Sequence, residues 1–250
     1  IAEGRAENAE GEEYLNETPE ELENISGNIK KELDKESGGT SRESGSLEGI
    51  SKENIRKEEE RIRENYNTET LSQNPKIDIW RKAYSAFGAK PKENKSSVEN
   101  LYRLVLNGIN LRHINNLVDI YNLISLKHML PVGGEDTDKI QRDILLTFAS
   151  ENEPPVLLLG DKEPRPPHLG EVIYKDDIST ICRRWNWREA DRTKFTEETR
   201  NCILVIEGLF PVTREEIEAA TNELKEMVEK YCGGTLVYSV LDRNKSEIEI

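Results

Sequence analysis

The segment Arg183–Glu189 combines residue types that can act on nucleic acid. Its three arginines flank two tryptophans, and such a set can grip phosphate groups and stack on bases, as single-stranded nucleic acid requires. On a strand, Arg184, Asn186 and Arg188 would share one face, with the tryptophans on the other. A structural alternative stays open, in which the tryptophans pack into the core and the arginines pair with acidic neighbours such as Glu189.

A second polar cluster lies in the apolar stretch Ile114–Leu123. Asn115, Asp119 and Asn122 stand at i, i+4 and i+7, so a helix would place all three on one face. Polar groups among apolar neighbours must form hydrogen bonds if they are buried. This cluster therefore predicts either part of a binding pocket or a network that fixes the start of a helix.

A third cluster, Pro131–Ile140, is dense in turn-forming residues. The pair Gly133-Gly134 opens an acidic run that would repel a phosphate, so it does not form a nucleotide-binding loop. The favoured interpretation is a structural turn between a helix and a strand, capped by Asp136 and Asp138.

Other common catalytic constellations are missing from the sequence. The histidines at 113, 128 and 168 do not stand at metal-ligand spacing from one another or from a cysteine. The three cysteines form no CxxC pair, and there is no GxSxG nucleophile motif. We therefore expect no metal, no cofactor and no serine-hydrolase chemistry.

Helices come first along the chain and strands follow. Helical spacing of apolar residues and capping signals predict helices at 51–66, 77–87, 96–107, 116–130 and 213–231. Short β-rich runs predict strands at 145–149, 156–160, 171–174, 178–182, 202–207 and 236–241. This order predicts an α+β domain with a mixed β-sheet core packed with helices, rather than a doubly wound parallel sheet.

Charge is distributed unevenly over the 250 residues, whose net charge is −14. Residues 1–74 hold 20 acidic and 10 basic side chains and two of the 15 aromatic ones. We expect residues 1–74 to be an acidic, partly disordered insertion with charged helices, one of them near 18–33, that precedes a domain at 75–242 and a tail at 243–250. The acidic segment is a candidate docking surface for a basic protein.

Composition also bears on location. No run approaches the roughly 20 apolar residues of a membrane span, and no signal peptide is recognisable. Three well-separated cysteines suit a reducing compartment, so we expect a cytoplasmic protein without a membrane partner. Because the first residue is Ile1 rather than Met, we expect a fragment or a processed form.

Several motifs together resemble one family. They are the WRKAYSAFG run within 79–88, the INxxVDxxN pattern of 114–122, Leu130-Pro131 followed by the DxDKI of 136–140, the RRWNWRE segment and the TEETRN of 196–201. This set resembles the B3/B4 domain of the phenylalanyl-tRNA synthetase β subunit, and more closely the free-standing B3/4 domain proteins. The resemblance covers about residues 75–242 and implies the α+β fold of that synthetase domain.

In the synthetase, this domain is the editing module that hydrolyses tyrosine wrongly attached to phenylalanine tRNA. The resemblance therefore implies a partner that is tRNA or aminoacyl-tRNA, and an aminoacyl-tRNA hydrolase acting in trans. The residues it points to are Glu189, Asn115 and Thr199 for catalysis, Asp119, Asn122, Asp136, Thr196 and Asn201 for the pocket, and Arg112, Arg183, Arg184 and Arg188 for RNA.

The chain departs from the editing domain at Gly133, where that domain typically has a histidine. The change removes a polar pocket group, although the ribose hydroxyl of the substrate can still assist the attack of water. At 250 residues the chain cannot hold the other synthetase modules, so we do not expect it to ligate phenylalanine to tRNA. Three functions stay open: an editing hydrolase, a noncatalytic RNA-binding module, and a protein-interaction domain.

Overall fold

The computed structural model describes residues 52–249. The helix predicted near 18–33 and most of the acidic segment lie outside these described residues. Helices occupy α1 Lys52–Asn65, α2 Pro75–Ala86, α3 Ser97–Leu106, α4 Asn116–His128 and α5 Arg214–Tyr231. Strands occupy β1 Val132–Asp136, β2 Leu145–Phe148, β3 Val172–Lys175, β4 Thr180–Arg183, β5 Arg188–Glu189 and β6 Cys202–Ile206.

Capping residues set the starts of the helices. Asn74 accepts a hydrogen bond from the backbone of α2, which begins with Pro75, and Ser96 does the same for α3. Thr213 and Glu216 form both halves of a capping box at α5. These side chains satisfy the first free N–H groups of each helix, which explains why the sequence located the helices well.

Helix α1 packs on the rest of the domain through two isoleucines of its apolar stripe. Ile55 and Ile62 are buried, each in a different apolar cluster of the molecule. Between them Glu59 is also buried, and its carboxylate accepts from the backbone N–H of Leu111 at 2.6 Å and pairs with Arg56. The helix before residue 75 therefore packs into the same core as the residues after it.

The strands form two antiparallel sheets within residues 52–249, and the predicted α+β class is confirmed. One sheet pairs β1 with β6, and the other has the order β2-β3-β4-β5. Because β3, β4 and β5 follow one another through short connections, they pair as antiparallel neighbours.

The turn predicted at 131–140 is wrong in its first half, where the chain forms strand β1. Glycine is required there because a Cβ on Gly134 would lie 2.4 Å from the carbonyl oxygen of Ile203 on β6. The second half does turn, and Asp136 accepts from the backbone N–H of Asp138 at 3.1 Å. The glycines that indicated a turn instead permit close packing of two strands.

Two predicted strands are also wrong. Residues 156–160 make only isolated bridges, Val156 with Arg165 and Leu158 with Ala190. Residues 236–241 form no strand, and Val237 is 87% exposed. A short apolar run becomes a strand only if a partner strand lies beside it. No helix among residues 52–249 has the length and apolar character needed to cross a membrane.

Candidate functional site

The segment Arg183–Glu189 forms a tight corner rather than a strand. β4 ends at Arg183 and β5 begins at Arg188, and these two residues are paired across the hairpin. Between the strands, Arg184 and Trp185 have positive φ values of 48° and 68°. The predicted alternation of arginine and tryptophan faces is therefore wrong, because the chain reverses within the segment.

The first two arginines of this corner are buried, with exposures of 4% for Arg183 and 6% for Arg184. Arg183 makes two hydrogen bonds of 2.8 Å to the carboxylate of Glu171. Arg184 lies 3.9 Å from the same carboxylate, and its guanidinium stacks 4.2 Å from the centre of the Trp187 ring. The expectation that these two guanidinium groups are presented at the surface is wrong, and the structural alternative holds with Glu171 as the acidic partner.

A half-buried glutamate, Glu207, fixes the rest of the corner. It accepts hydrogen bonds from the indole N–H of Trp185 and the side-chain amide of Asn186, both at 2.6 Å, and from the hydroxyl of Tyr174 at 2.7 Å. Tyr84 of α2 donates to Asn186 at 3.0 Å. Burial raises the pKa of Glu207, while its three donors act in the opposite direction. This network ties the hairpin to the helices and to the end of β6.

The other two predicted RNA contacts differ in exposure. Arg188 is half-buried and donates to the carbonyl oxygen of Leu159 at 2.5 Å and to Asp161 at 2.8 Å. Arg112, which precedes α4, is exposed. Of the four predicted arginines, Arg112 is thus the one that the structure places at the surface.

Glu189 lies where the two sheets meet. Its backbone on β5 is paired with Cys182 on β4, and its carboxylate reaches strand β1 of the other sheet. Its Oε1 atom accepts a long hydrogen bond of 3.4 Å from the N–H of Gly134, and a Cβ on Gly133 would stand 2.8 Å from that atom. Gly133, the point of departure from the editing domain, is therefore the residue that lets Glu189 approach β1.

The environment of Glu189 shifts its ionisation. Burial raises the pKa of Glu189 to about 7, and the hydrogen bond from Gly134 acts in the opposite direction. The residue as a whole is half-buried. A carboxyl group that ionises near neutral pH has the protonation behaviour of a general acid or base.

A second carboxyl group at this site, Glu135, was not among the residues predicted from the sequence. It follows Gly133 by two positions on β1, so both residues face the same side of the strand, toward Glu189. Glu135 is 7% exposed, and its Oε2 atom has no hydrogen-bond partner within the described part of the chain. Burial, and then the charge of Glu189, raises the pKa of Glu135 to about 9. Strand alternation would have indicated this residue if 132–136 had been interpreted as a strand.

Two further groups border the carboxyl pair. Tyr121 on α4 and the thiol of Cys182 both have pKa values raised by burial and by the charges of Glu189 and Glu135. Tyr121 also lies against Phe195, with ring centres 6.3 Å apart. We call Tyr121, Gly133, Glu135, Cys182 and Glu189 the carboxyl-pair site.

Four of the predicted pocket and catalytic residues come together elsewhere. Thr199 donates to Asp136 at 2.7 Å and accepts from the backbone of Thr196 at 3.0 Å, and Asn201 donates to Asp138 at 3.0 Å. Asp136 is next to Glu135 on β1 and therefore faces the opposite side of that strand. These contacts brace the loop before β6 and do not bring Thr199 to Glu189.

The polar cluster at the start of α4 is a helix-start network, as the structural alternative proposed. Asn115 caps the helix by accepting from the N–H of Val118 at 2.9 Å. The buried Asp119 accepts from the N–H of Ile114 at 3.2 Å and contacts Nδ1 of His113 at 2.6 Å. Asn122 is half-buried one turn further along. The cap satisfies backbone donors that would otherwise have no partner.

His, Cys, Asp and Glu side chains nowhere gather in a group of three or more that could hold a metal ion, as far as residues 52–249 are concerned. The carboxyl-pair site offers two carboxyl groups, one phenol and one thiol, all with pKa values raised by burial.

The fold and the site together define an α+β domain with two antiparallel sheets and a pair of carboxyl groups between them. The family model of the B3/4 domain matches residues 79–233, and the chain belongs to the B3/4 domain family. A comparison with curated proteins gave no match.

Proposed function

We propose that this B3/4 domain acts on the aminoacylated 3′ end of tRNA and hydrolyses the aminoacyl ester in trans. Glu189 carries the proposal, because its carboxyl group lies where the two sheets meet and burial raises its pKa to about 7. Such a group changes protonation state at neutral pH, which suits proton transfer during ester hydrolysis. Membership of the B3/4 family and the resemblance to the synthetase editing domain support the choice of substrate.

The proposed reaction uses ionised Glu189 as a base. It accepts a proton from a water molecule whose oxygen attacks the carbonyl carbon of the aminoacyl ester. The resulting tetrahedral adduct releases the ribose oxygen as the ester C–O bond breaks, and that oxygen takes up the proton held by Glu189. The products are a free amino acid and an uncharged tRNA end, and the carboxylate is regenerated.

The RNA contact is proposed to begin at Arg112. Its exposed guanidinium precedes α4, and Tyr121 on that helix borders the carboxyl-pair site. The described surface offers little support for Arg183 and Arg184 as contacts, because Glu171 already pairs with them inside the protein. A phosphate contact by Arg112 would give binding that weakens with salt.

The test is deacylation of a panel of mischarged tRNAs by the purified chain, with Glu189→Gln and Arg112→Ala as variants. Glu197→Gln, which changes an exposed carboxylate on a nearby loop, is the matched control. We expect selective release of one class of amino acid, reduced at least about 100-fold in Glu189→Gln because the base is lost. Arg112→Ala should raise KM and lower the salt dependence, and Glu197→Gln should change neither.

A noncatalytic RNA-binding module is the second candidate, favoured by the inward-facing carboxyl pair. It predicts no release of amino acid, together with salt-sensitive tRNA binding that Arg112→Ala weakens and Glu189→Gln does not. Absence of both deacylation and tRNA binding would contradict both functions. The search would then turn to protein partners, among them a basic protein that binds the acidic residues 1–74.

A further inference from the structure

The four-stranded sheet has two outer strands, β2 and β5, which differ in what lies beside them. The N–H of Leu159 donates to the carbonyl oxygen of Glu189 on β5 at 3.0 Å. Asp191, just after β5, donates to the carbonyl oxygen of Leu157 at 2.9 Å, so this edge is covered. No segment among residues 52–249 makes backbone hydrogen bonds to the outer side of β2. Within the described chain β2 is therefore an open edge, to which another strand can add.

The hydrogen-bond pattern shows which backbone groups of β2 point outward. Ala149, just after the strand, donates at 2.8 Å to the residue that precedes β3. Val172, the partner of Phe148, directs its carbonyl oxygen away from β2, where it accepts from Trp185. Alternate residues of an antiparallel strand bond to alternate sides, so the N–H and C=O groups of Leu146 and Phe148 point away from β3.

The side chains of this edge are apolar and exposed. Leu146 and Phe148 are 46% and 68% exposed, and Leu145 on the other face of β2 is exposed as well. Leu169, near the end of the strand, adds a fourth exposed apolar side chain. Edge strands are commonly protected from further pairing by a charge or a proline, but residues 144–149 contain neither. An edge of this kind favours pairing with another extended chain.

Charged residues flank β2 in a self-complementary order. Arg142 stands three residues before the strand and Glu151 three residues after it, and both are exposed. Arg142 pairs with Asp177, yet 78% of its side-chain surface stays accessible. When two copies of β2 run antiparallel, the start of each strand lies beside the end of the other, so Arg142 of one copy approaches Glu151 of the second. A parallel arrangement would instead bring like charges together.

Residues 1–50 of the same chain are a poorer candidate for the place beside β2. They contain no run of apolar residues longer than two. A strand that adds to this edge needs apolar or β-branched side chains that pack on the sheet. A second copy of β2 supplies such side chains together with the complementary charges.

We propose that β2 is a dimerisation edge, at which a second copy of this chain adds its own β2 in antiparallel orientation about a twofold axis. The outward N–H and C=O groups of Leu146 and Phe148 form the new ladder, which joins the two four-stranded sheets into one. The contact involves four residues of each strand, so the dimer is weak and reversible. Dimerisation is independent of the hydrolysis proposed above.

The first test is sedimentation velocity of the full chain from about 1 to about 300 µM, because small interfaces bind weakly. The sedimentation coefficient should rise from the monomer value to the dimer value as concentration increases. Phe148→Lys places like charges near the twofold axis and should abolish this rise. Phe210→Lys, which replaces an exposed phenylalanine in the loop after β6, is the matched control and should not. A monomer at every concentration would overturn the proposal, and so would a dimer that Phe148→Lys leaves intact.

Exchange of the flanking charges tests the antiparallel orientation. Arg142→Glu and Glu151→Arg each set like charges against one another at both ends of the paired strands. Each should raise the dissociation constant of the dimer at least about 5-fold. The double variant restores opposite charges and should return the constant to within about 2-fold of the unaltered chain. Additive weakening in the double variant would overturn the antiparallel pairing of β2.

Hydrogen exchange of single amides, measured by NMR, distinguishes a second copy from another part of the same chain. The amides of Leu146 and Phe148 should gain protection as protein concentration rises. Those of Leu145 and Thr147 bond to β3 and should be protected at every concentration. Protection of Leu146 and Phe148 that does not depend on concentration would show that the same chain covers the edge, and it would overturn the proposal.

Discussion

At the scale of single residues, two adjacent glycines have different tasks. Gly134 allows β1 to approach β6, because a Cβ there would lie 2.4 Å from the carbonyl oxygen of Ile203. Gly133 allows the carboxylate of Glu189 to lie against the strand, since a Cβ there would meet Oε1 at 2.8 Å. The atom that a Cβ on Gly134 would meet belongs to the backbone, which cannot easily move. The atom that a Cβ on Gly133 would meet is at the end of a flexible side chain.

We therefore expect opposite outcomes for alanine at these two positions. Gly134→Ala should destabilise the fold by about 1–3 kcal/mol, because backbone must move. Gly133→Ala should cost less than about 1 kcal/mol but displace Glu189 toward solvent and lower its pKa toward the ordinary 4.3. Urea denaturation measures the free energy of unfolding, and an NMR titration of the side-chain carboxyl groups measures the pKa of Glu189. Each variant serves as the control for the other. An unchanged Glu189 ionisation in Gly133→Ala would contradict the assigned contact.

At the scale of elements, the β4–β5 hairpin depends on an ion pair inside the protein. Glu171, which immediately precedes β3, holds Arg183 through two hydrogen bonds and accepts from the backbone N–H of His168 at 3.1 Å. Burial alone would raise the pKa of Glu171, but the hydrogen bonds and charge of Arg183 outweigh it and the pKa is lowered. The arginines that the sequence suggested for RNA binding instead hold the corner that bears Glu189.

Glu171→Gln should destabilise the protein by about 3–5 kcal/mol at pH 7, because it leaves Arg183 buried without its counter-charge. A lowered pKa in the folded state means that the contribution of Glu171 is complete above its unfolded pKa and lost as pH falls through the folded value. The difference in free energy of unfolding between the unaltered chain and Glu171→Gln should therefore shrink below about pH 4. Urea denaturation at several pH values measures this difference.

Glu53→Gln provides the comparison for that measurement. Glu53 pairs with Lys57 on the exposed face of α1, and both side chains are more than two-thirds exposed. Water and salt screen an exposed pair of this kind, so Glu53→Gln should leave the urea midpoint almost unchanged. Equal effects of the two substitutions would show that the hairpin does not depend on Glu171.

At the scale of the whole molecule, α1 belongs to the folded core although it precedes the family match, which begins at residue 79. Ile55 packs with α4 and α5, and Ile62 packs with α2 and α3. The acidic residues before α1 lie outside the described residues, and the sequence predicts that residues 1–50 are dispensable for folding.

Two truncated chains test this division. A chain that begins at residue 52 should melt within about 2 °C of the full chain, a shift that corresponds to about 1 kcal/mol or less. A chain that begins at residue 75 should lose several kcal/mol, because each buried isoleucine of α1 contributes about 2–5 kcal/mol. Calorimetry of the three chains measures the transitions. A large fall in melting temperature for the first truncation would contradict the prediction.

The sequence by itself determined the helices and the α+β class. Caps such as Asn74, Ser96 and Thr213 and the apolar spacing around them act over one or two turns, so the signal lies in neighbouring residues. The four strands predicted at 145–149, 171–174, 178–182 and 202–207 were likewise indicated by the types of neighbouring residues. The strand predicted at 236–241 was wrong, since these residues pair with no strand among residues 52–249.

Only the tertiary structure decided which polar residues meet and which face solvent. Glu135 and Glu189 are far apart in sequence and belong to different sheets, so neither spacing nor composition indicates that they share one desolvated space. The same holds for Arg183, whose charge suggested a surface contact until Glu171 was found beside it. Burial and charge pairing depend on long-range contacts, and these set the pKa values on which the proposed chemistry depends.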